Sequence, residues 1–204
     1  MGLTSELARN LLKIKAVQIN AENYFTWTSG IKSPIYCDNR LTMSYPEIRN
    51  KITDAFVEII EGMKEKPEVI AGCATAGIPH AAWLADELNL PLVYVRSKPK
   101  GHGKGNQIEG ELTSDAKVLV IEDLISTGGS SIASAKALQK EGAQVLGILA
   151  IFTYGLRKSA KQFFEANLSL ETITGFDELI DVLVEDKKIS NKEKSELLTW
   201  RNEL

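Results

Sequence analysis

Val118-Leu119-Val120-Ile121-Glu122-Asp123-Leu124-Ile125-Ser126-Thr127-Gly128-Gly129-Ser130-Ser131 is the stretch from which the rest of the chain can be read. Residues 118–121 are apolar without alternation, the pattern of a strand buried on both faces. Two acids follow at the end of that strand, then a turn of small residues, then a helix opening near Ser130. The first N–H groups of a helix lack intrahelical partners and sit at the positive end of its dipole. Successive donors from Thr127 to Ser130 therefore suit a phosphate, and two glycines let the backbone come close to it. Glu122 and Asp123, just before, can accept hydrogen bonds from vicinal hydroxyls such as those of a ribose. Packing alone gives no reason to end an apolar strand on two adjacent acids. The segment predicts a sugar-phosphate cradle.

Outward from the cradle the pattern alternates. Short apolar runs predict strands over 69–71, 92–95, 117–121 and 145–152, with helices over 78–88 and over 130–140, the latter closed by Gly142. Such alternation implies an α/β fold, a parallel sheet flanked by helices on both faces, with ligands beyond the carboxyl ends of its strands. Upstream, Leu7, Leu11 and Leu12 predict a helix beginning at Thr4 or Ser5, followed by extended pieces at 17–19 and 24–26. Ser44-Tyr45-Pro46-Glu47 predicts a second helix to about Met63, with Ser44 as cap, Glu47 reaching back, and Ile48, Ile52, Phe56 and Ile59 as its buried stripe. Downstream, Thr174-x-x-Asp177 and Ser190-x-x-Glu193 read as capping boxes of a helical, peripheral tail over 174–204. No repeat or linker divides residues 1–204, so one domain is expected.

The 204 residues are 44% hydrophobic and 25% charged, which excludes wholesale disorder, collagen and coiled coil. A net charge of -3 argues against a general nucleic-acid or anionic-membrane binder. No apolar run is long enough for a membrane span, and the start Met1-Gly2-Leu3-Thr4-Ser5-Glu6 lacks a signal-peptide layout, so a cytoplasmic protein is expected. Cys37, Cys73 and His80 have no local partners for metal or nucleophilic chemistry and read as packed or surface residues; no protein metal site is expected.

Three further segments bear on function. Residues 96–110, Arg96-Ser97-Lys98-Pro99-Lys100-Gly101-His102-Gly103-Lys104-Gly105-Asn106-Gln107-Ile108-Glu109-Gly110, form a long glycine-rich loop that concentrates positive charge in an acidic chain, as a lid over a polyanion would. Ala71-Gly72-Cys73-Ala74-Thr75-Ala76-Gly77-Ile78-Pro79 is either a tight strand-helix turn or a second backbone anion site. Residues 25–38 are either an irregular packed loop or a shelf whose aromatics stack on a flat ring. A nucleoside-triphosphate P-loop would need G-x-x-x-x-G-K-[ST], which is absent. The glycines at 101, 103 and 105 do not open a helix as a dinucleotide fingerprint must.

The Glu122–Ser131 segment resembles the phosphoribosyl pyrophosphate motif of the type I phosphoribosyltransferases, and residues 94–110 resemble the mobile loop of their orotate branch. Ser29-Gly30-x-Lys32-Ser33-Pro34 and Gly72-x-x-x-x-Gly77-Ile78-Pro79 extend the likeness to most of residues 25–154. The resemblance implies the type I fold with a small hood from residues 1–45. It implies transfer of ribose 5-phosphate from phosphoribosyl pyrophosphate to N1 of orotate, with Mg²⁺ bound mainly through the donor, and a homodimer with shared active sites. By position, it implies that Arg96, Lys100 and His102 contact the pyrophosphate or the closing lid, and that Glu122 and Asp123 hold the ribose hydroxyls. The same alignment puts Leu124 and Ile125 in the donor-binding run, Ser126 beside orotate, and Thr127, Gly128, Gly129 and Ser130 around the 5-phosphate. Many members carry Lys where this chain has Ser97 and Thr28, Tyr-Lys at Thr75-Ala76, and paired Phe at Tyr36-Cys37, and the family's arginine for orotate has no match after residue 152. A purine-base phosphoribosyltransferase or a non-catalytic phosphoribosyl pyrophosphate-binding regulator are the competing expectations.

Overall fold

The computed structural model describes residues 2–20, 24–26, 30, 32–98 and 107–204. Helix α1 spans Leu3–Lys13, starting slightly before the expected Thr4 or Ser5 because Gly2 takes the N-cap position, and it buries Leu7, Ala8 and Leu11. Strand β1 (Val17–Ile19) precedes β2 (Phe25–Thr26), β3 (Lys32–Ser33) and β4 (Ile35–Cys37); β1 pairs with β4 and β2 with β3, both antiparallel. A 3₁₀ helix, Asn39–Ser44, leads into α2 (Pro46–Gly62). The expected Ser44 cap does not form: Ser44 is spent in the 3₁₀ turn and Tyr45 stands at the N-cap without a side-chain bond. Pro46, whose φ is fixed and whose missing N–H costs nothing in the first turn, starts the helix instead. Ile48, Ile52, Phe56 and Ile60 are buried; Ile60 rather than Ile59 completes the deepest row.

The main sheet is built from β5 (Val69–Cys73), α3 (Gly77–Leu88), β6 (Leu92–Val95), β7 (Ile108–Glu109), β8 (Lys117–Ile125), α4 (Gly129–Lys140), β9 (Gln144–Thr153), α5 (Arg157–Ala166) and β10 (Leu170–Gly175). Its order is β10-β9-β8-β5-β6-β7, parallel throughout except for β7 at one edge. From β5 the chain moves one way to β6, then returns to place β8 and its successors on the other side, so the direction of winding switches between β5 and β8. One apolar layer holds Leu119 and Ile121 with α1, α2 and α3; the other holds Val118 and Val120 with Ile132 and Leu138 of α4. Every residue of β5 is buried, as a central parallel strand requires.

Three differences from the sequence reading matter. Strand β8 runs four residues past Ile121, because β9 continues beside it with Ile125 opposite Thr153; Glu122 and Asp123 therefore lie within the strand. The long loop is shorter than its composition implies, since Ile108–Glu109 folds back onto Val95 and Tyr94 as β7. The tail is helical, as α6 (Phe176–Glu185) and α7 (Asn191–Asn202), but not peripheral. Phe176, Leu179 and Ile180 of α6 belong to the main core, because the apolar face that 176–183 presents needs cover. Ser190 and Glu193 form the reciprocal capping box. Thr174 does not cap: it lies within β10, Gly175 stands at the N-cap, and the buried Thr174 hydroxyl has no partner among the described residues.

Candidate active site

Parallel pairing brings the carboxyl ends of β8, β5 and β6 to one edge of the sheet, at the switch point. Three segments singled out in the sequence leave from these ends: the cradle after β8, the small-residue turn after β5, and the basic loop after β6. Open α/β sheets place ligands at this position.

In the cradle, Gly128 adopts φ +83° as the N-cap of α4, and no side chain caps the helix. The first N–H groups of α4 thus have no side-chain cap, at the residues where the sequence predicts a phosphate. Phe163 of α5 closes the turn from behind: a Cβ on Gly128 would stand 2.5 Å from its ring. Gly129 and Ser130 are exposed and Ser126 and Thr127 half-buried, so backbone and hydroxyls of the turn reach solvent. Leu124 is half-buried, as Ser126 and Thr127 are. Ile125 is buried in the core and its carbonyl accepts from the N–H of Tyr154 at 3.1 Å, while Leu124 packs against the other layer. Both side chains thus take part in packing the strand beneath the cradle.

Glu122 is buried, 7% exposed, and its carboxyl accepts from the Asp123 N–H at 3.1 Å and the Ser130 hydroxyl at 3.3 Å. The Ser130 side chain thereby ties the acid to the start of α4. Burial, then the charge of Asp123, pushes the Glu122 carboxyl up to about 8. Burial also raises Asp123. Burial thus favours the neutral form of Glu122 in the free site.

The turn after β5 contains a cis Ala74–Thr75 peptide bond. Its end is clamped onto β8, since a Cβ on Gly77 would lie 2.4 Å from the Ile121 carbonyl oxygen, so only glycine lets α3 begin there. Cys73 is buried and its thiol is held protonated by burial and by Glu122 nearby, in keeping with a packed residue. His80 is packed too, with Nε2 3.3 Å from the Thr42 hydroxyl and its ring edge-on to Trp83.

Arg96 stands where β6 ends. Its guanidinium meets Glu109 at 3.4 Å, and Arg96 and Gln107 exchange bonds of 2.8 and 2.9 Å, main-chain N–H to carbonyl and side-chain amide to carbonyl. This clasp fixes the base of the basic loop beside the cradle. Lys98 is exposed next to it. Lys100 and His102, expected to face pyrophosphate, lie outside the described residues, as does Thr28. On the aromatic segment, Tyr36 is exposed between buried Ile35 and Cys37 and its ring lies 5.8 Å from that of Phe25.

Two residues that sequence reasoning passed over complete the edge. The buried Asn39 amide donates to the Asp123 carbonyl at 2.7 Å, and Arg40 donates from Nε to Asp38 at 2.7 Å. A lone Asn and Arg in a turn carry no periodicity, and only the pairing of distant segments reveals them.

The sequence matches the phosphoribosyl transferase domain family over residues 44–177. It is 62% identical over 202 residues to an orotate phosphoribosyltransferase of Oceanobacillus iheyensis, spanning 99% of this chain and 100% of that one. Among solved structures, Aeropyrum pernix orotate phosphoribosyltransferase superposes with a TM-score of 0.76 at 28% identity, covering 90% of this chain and 99% of that chain. Leishmania donovani UMP synthase superposes with a TM-score of 0.79 at 28% identity over 98% of this chain, which spans only 42% of that longer one. Fold, edge geometry and full-length identity agree: the chain belongs to the orotate phosphoribosyltransferases of the phosphoribosyl transferase domain family.

Proposed function

We propose that this chain transfers the ribose 5-phosphate unit of phosphoribosyl pyrophosphate to N1 of orotate, releasing pyrophosphate and forming orotidine 5'-phosphate in pyrimidine synthesis. The observation that carries this reading is the acid pair Glu122-Asp123 standing directly before the uncapped N-terminus of α4. The helix end and the hydroxyls of Thr127 and Ser130 take the 5-phosphate, and the carboxyls take the two ribose hydroxyls. Displacement at the anomeric carbon builds positive charge on the ring and negative charge on the departing pyrophosphate. Arg96, Lys100 and His102 gain strength as that bond breaks, which is the condition for lowering the barrier, and Lys100 is the main charge stabiliser. Orotate N1 is acidic enough to need no strong protein base. A loop closed over the site keeps water from the same carbon.

Mg²⁺ belongs to this reading as a companion of the donor. Among the described residues no group of three or more His, Cys, Asp or Glu side chains stands together as a metal cage would. The buried pair, Glu122 and Asp123, suits a cation delivered with the sugar, whose charge would favour their ionised forms. When bound, Mg²⁺ supplies positive charge to the pyrophosphate. The enzyme works as a homodimer with shared sites in the cytoplasm; no helix among the described residues is long and apolar enough to cross a membrane. Pyrophosphate release on mixing protein, donor, Mg²⁺ and orotate tests the whole reading. Release with adenine or hypoxanthine in place of orotate would move the protein to the purine branch, and donor binding with no release would make it a regulator.

A further inference from the structure

Orotate differs from the other pyrimidines by a ring carboxylate, so a site that selects it needs a cation beside the surface that holds the ring. After β9, where the family resemblance leads one to look for an arginine, the chain supplies Tyr154 and Leu156, both buried, and an exposed Arg157 at the start of α5. Lys32, on the aromatic segment, spends its ammonium on the Thr26 hydroxyl at 2.7 Å.

Resting on the orotate reading above, we propose that Arg40 is the specificity-determining residue that reads the ring carboxylate. Three contacts hold it at the site. Asn39, its neighbour, is pinned by its side chain to the Asp123 carbonyl at 2.7 Å, which anchors the 3₁₀ helix against the end of β8. Cys37 Sγ lies 3.3 Å from Asn39 Oδ1, which ties the same turn to β4, the strand that presents the exposed Tyr36 ring. Asp38 accepts from Arg40 Nε at 2.7 Å and so aims the guanidinium.

The Arg40 side chain remains 61% exposed, and among the described residues nothing else engages its terminal nitrogens. Those nitrogens are the fork that matches a carboxylate bidentately. Arg40 carries the charge between two surfaces the substrate must touch. Its guanidinium is stabilised first by Asp38 and further by Asp123 and Tyr36, so it lies within charge range of both the ribose acid and the aromatic shelf. A flat anion lying on Tyr36, with its reactive nitrogen towards the sugar held by Asp123, would bring its carboxylate to Arg40.

Calorimetric binding of orotidine 5'-phosphate and of uridine 5'-phosphate, which lacks only the carboxylate, tests this. In Arg40→Gln the first nucleotide should weaken roughly 10- to 100-fold, the range for loss of a charged hydrogen-bonded contact, with the second unchanged. Arg40→Lys should recover part of the difference, through charge without the fork. Arg157→Gln should leave the preference intact. Equal weakening of both nucleotides by Arg40→Gln, an unchanged affinity for orotidine 5'-phosphate, or loss of the preference in Arg157→Gln alone would overturn the assignment. If the unmutated protein binds both nucleotides alike, the orotate reading itself fails and this proposal falls with it.

Discussion

The side-chain amide of Asn39 donates to the main-chain carbonyl of Asp123 at 2.7 Å across 84 residues of sequence. It is the bond that fixes the amino-terminal segment to the strand carrying the acids, and it is fully buried on the Asn39 side.

Asn39→Ala should cost roughly 1–3 kcal/mol of stability, because it leaves a part-buried carbonyl without its donor. Beyond that loss, KM for the donor should rise more than kcat falls, since the orientation of Asp123 and not the reacting charge is disturbed. Chemical denaturation and steady-state kinetics at saturating orotate check both. A stable variant with an unaltered donor KM would show the bond to be ornamental.

The pH dependence of stability has a defined sign at Glu122. Its folded pKa, raised by burial first and by Asp123 second, is about 8 against an ordinary 4.5, so the folded state holds a proton that the unfolded chain has released. The stabilisation is therefore complete below about 4.5 and is lost as pH rises through 8, with a slope of at most about 1.4 kcal/mol per pH unit. Glu122→Gln should flatten this fall. Thermal unfolding of both proteins between pH 5 and pH 8.5 reads it, and parallel curves would refute the raised value.

Gly128 is doubly constrained, by φ +83° and by the Phe163 ring 2.5 Å from where a Cβ would stand. Gly128→Ala should lose roughly 1–3 kcal/mol and weaken donor binding at least tenfold, with orotidine-independent phosphate binding weakened in parallel. Adding Phe163→Leu should restore part of the stability, leaving the φ penalty. Calorimetry on the single and double variants separates the two causes.

The shared sites proposed for the homodimer make a prediction that needs only inactive proteins. Lys100→Ala and Asp123→Asn chains, unfolded together and reassembled in equal amounts, should give mixed dimers in about half of cases, each with one intact site of two. Activity should return to about a quarter of the unmutated level. Mixed dimers confirmed by tag pull-down yet as inactive as their parents would place Lys100 in its own subunit's site.

Much of this architecture was legible because a parallel sheet writes itself as apolar runs. The strands at 69, 92, 117 and 144 and the helices between them stand close to where their runs predict. Helix α5 and strand β10 escaped because their burial is thin: α5 buries only Ser159 and Phe163 and leaves Phe164 87% exposed. Strand β7 is two residues long, and its single apolar residue, Ile108, is no pattern at all. The extension of β8 through Glu122 and Asp123 was hidden by the rule that charge ends a buried strand. Here Glu122 is kept within it by the ladder to β9 and by burial that favours its neutral form. In the site, what a single motif carries was visible. What depends on a turn touching a distant strand, as Asn39 and Arg40 do, was not.

The absence of a side chain at Gly77 has a mechanical consequence. With α3 seated directly on the Ile121 carbonyl, the turn that ends β5 rests on the middle of β8, and any side chain at position 77 would push the two apart. The seam between helix and strand is thus set by one missing carbon atom, and the shape of that turn is inherited from the neighbouring strand rather than chosen by the turn itself.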